Sequence, residues 1–387
     1  MGTLTAPDLL NASRSQLTDD VLVRLCSILQ LNSTQFLLAE NHYHAICDWL
    51  DRDESPLKRF HPELYPQGSV ALGTTVKPQL GEEYDVDLVC ELAVDPNSVP
   101  RPVVLLDLIE KRMRESEIYR SRLERKRRCL RVNYEHNFHL DILPACPDPG
   151  SGPNCLVVPD RDDVCWRASN PKGFIKWFKT KGALRPPSRS DGRAMAKDAT
   201  APLPQPETAE QKNTLQLSVQ LFKRWRDIHY ANNGELAPVS IVLTTLMGDH
   251  YYGEQSVSLN LANSVQSIID SLPTVGRLVV VNPSHVQEDI SERWEDPKAY
   301  AAFVVGLHEF RRQMSELSKA QDMGQQSVLL QRMFGEKFIK KAFEEQGETL
   351  QKYRDAQKMG TEKRNGIVAL SSAATVPIPR NTFYGER

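Results

Sequence analysis

The sequence predicts an α/β (α+β) protein of two lobes, one with a small mixed sheet and flanking helices and one mostly helical. Apolar residues recur at helical spacing through residues 15–52. Short apolar runs separated by Gly and Pro follow between residues 65 and 143 and indicate strands. Helical spacing then returns over residues 215–351. With 387 residues the chain is long enough to fold both lobes.

The first two segments hold N-terminal helices and then the sheet. Residues 1–60 are predicted to form two helices, with Asn32 or Ser33 as the candidate N-cap of the second. Residues 61–180 are predicted to hold the sheet, together with a helix over 103–123. The predicted strands are residues 69–72, 84–92, 129–134 and 138–143.

The remaining segments are a loop, a helical lobe and a tail. Residues 181–212 carry five prolines and few apolar side chains, which predicts a flexible loop. Residues 213–358 form the predicted helical lobe and begin with helices over 215–230 and 238–252. The tail, 359–387, has no strong period and is predicted to be flexible.

Composition excludes several classes of protein. Lys plus Arg total 48 and Asp plus Glu 50, so a net charge of −2 gives no global attraction to a polyanion. No apolar run reaches the roughly 18 residues that cross a bilayer, and no secretory signal begins the chain. Seven cysteines without a C-x-x-C pair indicate reduced thiols and a cytoplasmic location. The spacing of Cys146, Cys155, Cys165 and His139 matches no zinc-site pattern.

The strongest chemical signal is a set of three aspartates. Asp85 and Asp87 alternate with apolar residues, so in a strand both carboxylates project from one face. Asp141 is the acid of a second strand, which a predicted hairpin can place beside the first. Neighbouring carboxylates repel unless a cation neutralises them, and oxygen ligands favour Mg²⁺. The pattern predicts a two-metal site of the kind that promotes attack of a hydroxyl on an α-phosphate with loss of pyrophosphate.

A Gly-Ser pair precedes these aspartates. At Gly68 the backbone can approach a phosphate closely, and the Ser69 hydroxyl can donate a hydrogen bond to its oxygens. Taken singly, a Gly-Ser turn, a D-x-D strand and a lone strand aspartate are common structural features. Their occurrence together, in this order, predicts nucleotidyl transfer.

Several segments resemble a known family, the bacterial CD-NTases, which are relatives of cyclic GMP–AMP synthase and oligoadenylate synthetase in the polymerase-β-like nucleotidyltransferase superfamily. The resemblance covers roughly residues 36–312 and extends into both lobes. The segments are QGSVALGTTV, EYDVDLVCEL, HLDILPA, NPKGFIKWF, QLFKRWRD, APVSIVLTTLM and NPSHVQEDISERW. It implies a polymerase-β-like lobe, a helical lobe and an active site in the cleft between them.

The resemblance also implies roles for particular residues. The catalytic aspartates Asp85, Asp87 and Asp141 would bind two Mg²⁺ ions, with Mn²⁺ as the alternative metal. Beyond the resemblance, we expect Asp141 to act also as the base. The implied nucleotide-binding residues are Gln67, Gly68, Ser69, Lys223 and Ser240. For the last two, ordinary structural roles stay open: a lysine on a solvated helix face and a serine in the first turn of a helix.

The activity that the resemblance implies is synthesis of a cyclic di- or trinucleotide second messenger from ATP, GTP or other NTPs. This signal would act in bacterial anti-phage (CBASS-type) defence on a separate effector protein. The alternatives are a nucleotidyltransferase that makes linear oligonucleotides or modifies protein or RNA, and a nucleic-acid-binding or scaffold pseudoenzyme. Residues alone support only the generic nucleotidyl transfer.

Two further features bear on partners. The basic run over 111–131 is interrupted by acids and has no aromatic platform, which argues against activation by nucleic acid. The tail is predicted to be a frayed terminus, with a docking site for a regulatory protein as the alternative. Tryptophans at 177, 225 and 294 are predicted to anchor the core.

Overall fold

A computed structural model describes residues 6–77, 84–134, 138–162, 164–184 and 200–356, and three short strands between 359 and 377. The α-helices are α1 (Ala6–Leu29), α2 (Ser33–Asp51), α3 (Gly68–Ala71), α4 (Val103–Glu115), α5 (Glu117–Arg120), α6 (Pro171–Gly182), α7 (Thr214–His229), α8 (Ser240–Asp249), α9 (Val257–Asp270), α10 (Pro297–Lys319), α11 (Met323–Phe334) and α12 (Glu336–Asp355). The β-strands are β1 (Glu63–Gln67), β2 (Tyr84–Glu91), β3 (Leu123–Arg125), β4 (Leu130–Tyr134), β5 (Phe138–Pro147), β6 (Leu156–Asp160), β7 (Cys165–Ser169), β8 (Val281–Asn282), β9 (His285–Asp289), β10 (Met359–Glu362), β11 (Val368–Leu370) and β12 (Thr375–Pro377).

The first lobe is built on one mixed sheet, as predicted. Its strand order is β1-β2-β5-β4-β3, and β6 and β7 continue the sheet from the end of β5. Strands β2 and β5 are parallel, and their other neighbours are antiparallel. Alternate side chains of β2 and β5, including Val86 and Leu140, are buried in a core with α2 and α4. The opposite face of both strands therefore carries the polar residues.

The helical lobe has its own core, and the first helix belongs to it. Helix α1 contacts α7, α9 and α12, and its Leu22 and Leu25 are buried in that core. Helix α2, capped by Asn32 in a capping box with Gln35, packs instead on the sheet. The predicted N-terminal segment is thus divided between the two lobes.

Helices α1 and α2 are the helices that bear on whether the chain could cross a membrane. Within the described residues, no single helix is long and apolar enough to cross a membrane. The spans Ser15–Leu29 and Ser33–Asp51 meet that threshold only together, with a bend of 44° between them. Their apolar side chains are buried in two different protein cores.

Two secondary-structure predictions are wrong. Residues 69–72 were expected to form a strand, but Gly68 turns the chain with a φ of 61° and begins the short helix α3. Such a helix is one turn long, too short for a helical period to appear in the sequence. The helix expected over 103–123 ends at Glu115, because Ser116 adopts an extended conformation. Helix α5 and strand β3 follow it.

The predicted loop and tail are partly ordered. In the loop, helix α6 extends to Gly182, and residues 185–199 lie outside the described residues. Beyond them, Leu203 and Ala209 are buried, and the Tyr43 hydroxyl donates to the Ala201 carbonyl at 2.6 Å. In the tail, β10 pairs with β11 and β12 in an antiparallel sheet, and the rest lies outside the described residues. The flexibility of residues 181–212 and 359–387 stays a prediction.

Candidate active site

A cavity of about 540 Å³ lies between the two lobes. Strands β2, β5, β6 and β7 and helix α3 form its wall on the sheet side. Helices α6, α7 and α8 and the β8–β9 hairpin form the other wall. The predicted site residues in the lining are Gln67, Gly68, Ser69, Asp85, Asp87, Lys223 and Ser240. One cavity therefore gathers residues from segments more than 150 positions apart.

The three predicted carboxylates lie together on one face of the sheet. Asp87 and Asp141 are direct partners in the parallel pairing of β2 with β5. Asp85 lies two residues before Asp87, on the same face. The intervening Val86 is buried in the core on the opposite face. The alternation read from the sequence thus places all three carboxylates on one face, where Asp85 and Asp87 line the cavity and Asp141 lies beside Asp87, outside the lining.

Arg131 lies between these carboxylates and was not singled out from the sequence. Its Nε and Nη2 atoms donate to the two oxygens of Asp141 at 2.8 and 2.7 Å. Nη2 also donates to Oδ1 of Asp85 at 3.1 Å. Arg131 is the direct partner of Asp141 in the β4–β5 pair. Its alternation with the buried Leu130 and Val132 is the sequence signal that could have identified it.

The carboxylate cluster has more negative charge than its protein neighbours offset. Burial, followed by repulsion from Asp141 and Asp85, raises the pKa of Asp87 to about 7. A divalent cation would relieve this repulsion, and carboxylate oxygens are the ligands that Mg²⁺ prefers. The donor set therefore fits such an ion. Among the described residues, no three His, Cys, Asp or Glu side chains are gathered to hold an ion as they stand, and the Arg131 guanidinium contacts the carboxylates instead.

Gly68 lies directly against the aspartates. Gln67, which precedes Gly68 in the chain, is the pairing partner of Asp87 where β1 pairs with β2. A Cβ atom at position 68 would come within 2.1 Å of Oδ2 of Asp87, and the φ of 61° is one that L side chains rarely adopt. Only glycine fits here without displacing Asp87. Ser69 follows at the start of α3 and lines the same cavity.

Lys223 and Ser240 face the cleft from the helical lobe. Lys223 is buried on α7 and donates from Nζ to the carbonyl and hydroxyl oxygens of Thr74, each at 3.2 Å. Burial is the main cause that lowers its pKa, to about 7. The hydroxyl of Ser240, the first residue of α8, accepts a hydrogen bond from Arg226 at 2.8 Å. Both side chains line the cavity and also make hydrogen bonds to neighbouring protein groups.

The far wall of the cavity contains polar residues that sequence reasoning missed. Asn282 and Glu288 come from the β8–β9 hairpin, and Arg128 from the segment before β4. The hairpin lies within the NPSHVQEDISERW segment, where its strands of two and five residues are too short for a clear period. No spacing in the sequence relates these residues to the aspartates, so only the fold could bring them together.

Comparisons with known proteins agree with this arrangement. The family model described as Second Messenger Oligonucleotide or Dinucleotide Synthetase domain, SMODS, matches residues 17–182. A c-di-GMP synthase from Roseivirga ehrenbergii is 30% identical over 376 residues, which are 95% of this chain and 97% of the relative. The cyclic dinucleotide synthase CdnG of Bradyrhizobium diazoefficiens is 25% identical over 400 residues, with 95% of each chain covered.

A solved structure has the same fold. The Bradyrhizobium diazoefficiens CD-NTase CdnG in complex with GTP superposes with a TM-score of 0.67 at 22% identity. The match covers 85% of this chain and 99% of the CdnG chain, so it includes both lobes. With the near full-length similarity to two synthases and the carboxylates in the interlobe cleft, this chain belongs to the bacterial CD-NTases and is a nucleotidyltransferase of the cyclic dinucleotide synthase type.

Proposed function

We propose that this protein joins two molecules of GTP into cyclic di-GMP and releases two molecules of pyrophosphate. The observation that carries the proposal is that Asp85 and Asp87 line one interlobe cavity together with Gly68, with Asp141 beside Asp87 in the sheet. The choice of GTP is supported by the 30% identical relative named as a c-di-GMP synthase. The GTP in the CdnG structure supports the same choice.

The proposed metal site consists of the three aspartates with two Mg²⁺ ions, or Mn²⁺ as the alternative. When bound, such ions polarise the α-phosphate and offset the charge of the leaving pyrophosphate. Arg131 already places one positive charge between Asp85 and Asp141. Because this guanidinium contacts the oxygens of Asp85 and Asp141, an incoming ion would take its place there.

The protein groups around the cavity have distinct proposed roles. The backbone at Gly68 allows the triphosphate to lie against the sheet, and the Ser69 hydroxyl and the Lys223 ammonium donate to phosphate oxygens. Asp141 accepts the proton of the attacking ribose hydroxyl. The hydroxyl oxygen then bonds to the α-phosphorus while the bond to the β-phosphate oxygen breaks, and pyrophosphate leaves. A repeat of this transfer within the linear intermediate closes the ring.

The biological role is proposed from the family resemblance. The cyclic product would act as a second messenger in bacterial anti-phage defence and bind a separate effector protein. A cytoplasmic location agrees with seven cysteines that are all free thiols.

Product analysis tests the activity. The 387-residue chain is incubated with each NTP singly and in mixtures, with Mg²⁺ or Mn²⁺, and the products are treated with phosphatase before mass spectrometry. We expect a phosphatase-resistant product with the mass of cyclic di-GMP, because a closed ring has no terminal phosphate. Phosphatase-sensitive oligomers would show a linear nucleotidyltransferase instead, and the absence of turnover with every NTP and both metals would overturn the proposal.

Matched variants assign the activity to the cleft. The double variant Asp85→Asn, Asp87→Asn should remain folded by circular dichroism and lose product formation by at least about 1,000-fold, because it removes two of the three carboxylates. Asp107→Asn removes an exposed carboxylate that pairs with Arg125 on the opposite side of the sheet lobe. It should keep the wild-type rate.

A further inference from the structure

Glu288 is a carboxylate in the cavity wall that the proposed chemistry does not use. It lies on β9 and lines the cavity with Asn282. Nδ2 of Asn282 donates to its Oε2 atom at 2.7 Å. Among the described residues, no hydrogen-bond donor reaches its other oxygen, Oε1. One side of this carboxylate is therefore held by protein, and the other is available to a ligand.

Asn282 is fixed in the orientation that presents its amide to Glu288. Its Oδ1 atom accepts hydrogen bonds from the backbone N–H and the hydroxyl of Ser284 at 2.9 and 2.7 Å. The NH₂ group must then point toward Glu288. Asn282 is itself buried, at 2% exposure. The carboxylate of Glu288 is thus held in place by its protein partner before any ligand binds.

The surroundings of Glu288 leave its charge poorly compensated. Burial raises its pKa to about 7. Arg128 is the guanidinium nearby in the cavity wall, but it donates to Asp160 and Glu292. Glu288 is half-buried in the cavity wall, and hydrogen bonds from a ligand to such a charged acceptor are stronger than those to a neutral one.

Glu288 and the aspartates of β2 lie on different walls of the same cavity. Strands β6 and β7 follow β5 in the sheet, and β9 contacts β7. Strand β9 belongs to a separate two-stranded sheet, and the strand that it contacts, β7, is two strands beyond β5 in the first sheet. Leu143, Val158 and Ala168 line the same cavity. A cavity that combines apolar side chains with a polar wall suits a purine ring that presents a polar edge to Glu288.

We propose that Glu288 selects guanine by accepting hydrogen bonds from N1–H and the 2-amino group of one bound GTP, with Asn282 as its positioning residue. This rests on the proposed function, and it names the specificity-determining residue of that site. Among the four common bases, guanine has two donors side by side on its Watson–Crick edge. Adenine and cytosine each place an acceptor beside a single donor, and uracil places its one donor between two carbonyls.

The test compares GTP with ITP, which lacks only the 2-amino group. For the wild type we expect kcat/KM to be about 10- to 100-fold lower with ITP than with GTP, the range for one hydrogen bond to a charged group. Glu288→Gln should lower kcat/KM for GTP by a similar factor and bring the GTP-to-ITP ratio close to one. In an equimolar mixture of ATP and GTP, its products should contain more adenine than those of the wild type.

Controls separate recognition of the base from general damage. Gln287→Ala changes an exposed neighbour on the same strand and should keep the wild-type GTP-to-ITP ratio. The analogue 7-deaza-GTP changes the opposite edge of guanine. The ratio of kcat/KM for the wild type to kcat/KM for Glu288→Gln should therefore be the same with 7-deaza-GTP as with GTP.

The outcomes distinguish this inference from the proposed function. Equal use of GTP and ITP by the wild type would overturn the inference even if Glu288→Gln does not fold. A folded Glu288→Gln enzyme with an unchanged GTP-to-ITP ratio would also overturn it, while synthesis of cyclic di-GMP would leave the proposed function standing. A wild type without any cyclic product would instead contradict the proposed function.

Discussion

At the scale of single residues, Arg131 has the most direct effect on the candidate metal site. Its guanidinium makes two hydrogen bonds to Asp141 and one to Asp85. These bonds neutralise part of the cluster's charge, so the sheet can fold without a bound ion. A divalent ion at the same carboxylates must compete with this guanidinium. Arg131 is therefore expected to weaken metal binding while it stabilises the metal-free protein.

Replacement of Arg131 separates these two effects. Arg131→Met should lower the apparent Kd for Mn²⁺ about tenfold, or about 1.4 kcal/mol, because the ion no longer displaces a cation. Without metal, the same variant should unfold at lower urea concentration than the wild type. Binding is measured from the electron paramagnetic resonance signal of free Mn²⁺, independently of activity.

Two comparisons make the result specific. Arg125→Met removes a guanidinium that pairs with Asp107 and Glu110 away from the cleft, and it should leave Mn²⁺ binding unchanged. Adding Asp85→Asn and Asp87→Asn to Arg131→Met should abolish the gain. Mn²⁺ binding by Arg131→Met that is no tighter than in the wild type would contradict competition at this site.

At the scale of elements, features set by local periodicity could be predicted from the sequence. Asp85 and Asp87 alternate with buried apolar residues in β2, and this period of two places their side chains on one face. Asn32 is a candidate N-cap because a short polar side chain can accept a hydrogen bond from a backbone N–H of the first helical turn. In α2 it accepts such a bond from Gln35. In each case the physical cause lies within a few neighbouring residues.

Features set by contacts between distant segments could not be predicted. The one-turn helix α3 depends on the conformation of Gly68 and its approach to Asp87, which is a tertiary contact. The hairpin that carries Asn282 and Glu288 meets the sheet through β7, more than 100 residues earlier in the chain. The burial of Leu203 in a proline-rich segment likewise depends on packing against the sheet-side core. Spacing along the chain carries no information about such contacts.

Lys212 shows how one element boundary responds to pH. It precedes the Asn213 cap of α7, is buried, and donates from Nζ to Oε1 of Gln220 at 3.1 Å. Burial lowers its pKa to about 8 from the ordinary value of 10.5. Between pH 8 and pH 10.5, Lys212 binds more protons in the unfolded chain than in the folded one. The contribution of Lys212 to the free energy of unfolding therefore rises with pH.

The variant Lys212→Met tests this dependence. The free energy of unfolding of the variant minus that of the wild type should be largest at pH 7. This difference should fall by up to about 3 kcal/mol toward pH 10.5. Urea unfolding of both proteins at pH 7 and pH 10 measures the difference. The variant Lys111→Met, at an exposed position of α4, controls for removal of a lysine charge without burial. A difference for Lys212→Met that is the same at both pH values would contradict the expectation.

At the scale of the whole molecule, most of the basic run over 111–131 serves the fold. Arg112 is buried against Trp49 and pairs with Glu115. Arg114 and Arg125 pair with acids of α4. Because these three charges are paired within the protein, they contribute less to a basic surface for a nucleic acid. Activity that does not depend on DNA or RNA stays a prediction.

The end of the same run joins the two lobes. Asp160, at the end of β6, is fully buried and accepts from Nε of Arg127 and Nε of Arg128, both at 2.9 Å. Arg128 also donates to Glu292 of the helical lobe at 2.9 Å. Arg167 of β7 pairs with the same glutamate at 3.2 Å. One buried carboxylate thus anchors the arginines that connect the walls of the cleft.

We expect Asp160→Asn to destabilise the protein and to impair substrate binding. The substitution removes the buried negative charge that the guanidinium groups of Arg127 and Arg128 contact. Removing one partner of a buried ion pair lowers the free energy of unfolding by about 3–5 kcal/mol. Because Arg128 lines the cavity, its displacement should also raise the KM for GTP more than it lowers kcat. Asp162→Asn, two residues further on, removes an exposed partner of Arg161 and should change stability by less than about 1 kcal/mol. Urea unfolding and steady-state kinetics of both variants measure these effects, and equal unfolding midpoints for Asp160→Asn and the wild type would show that the lobes are held together by apolar packing instead.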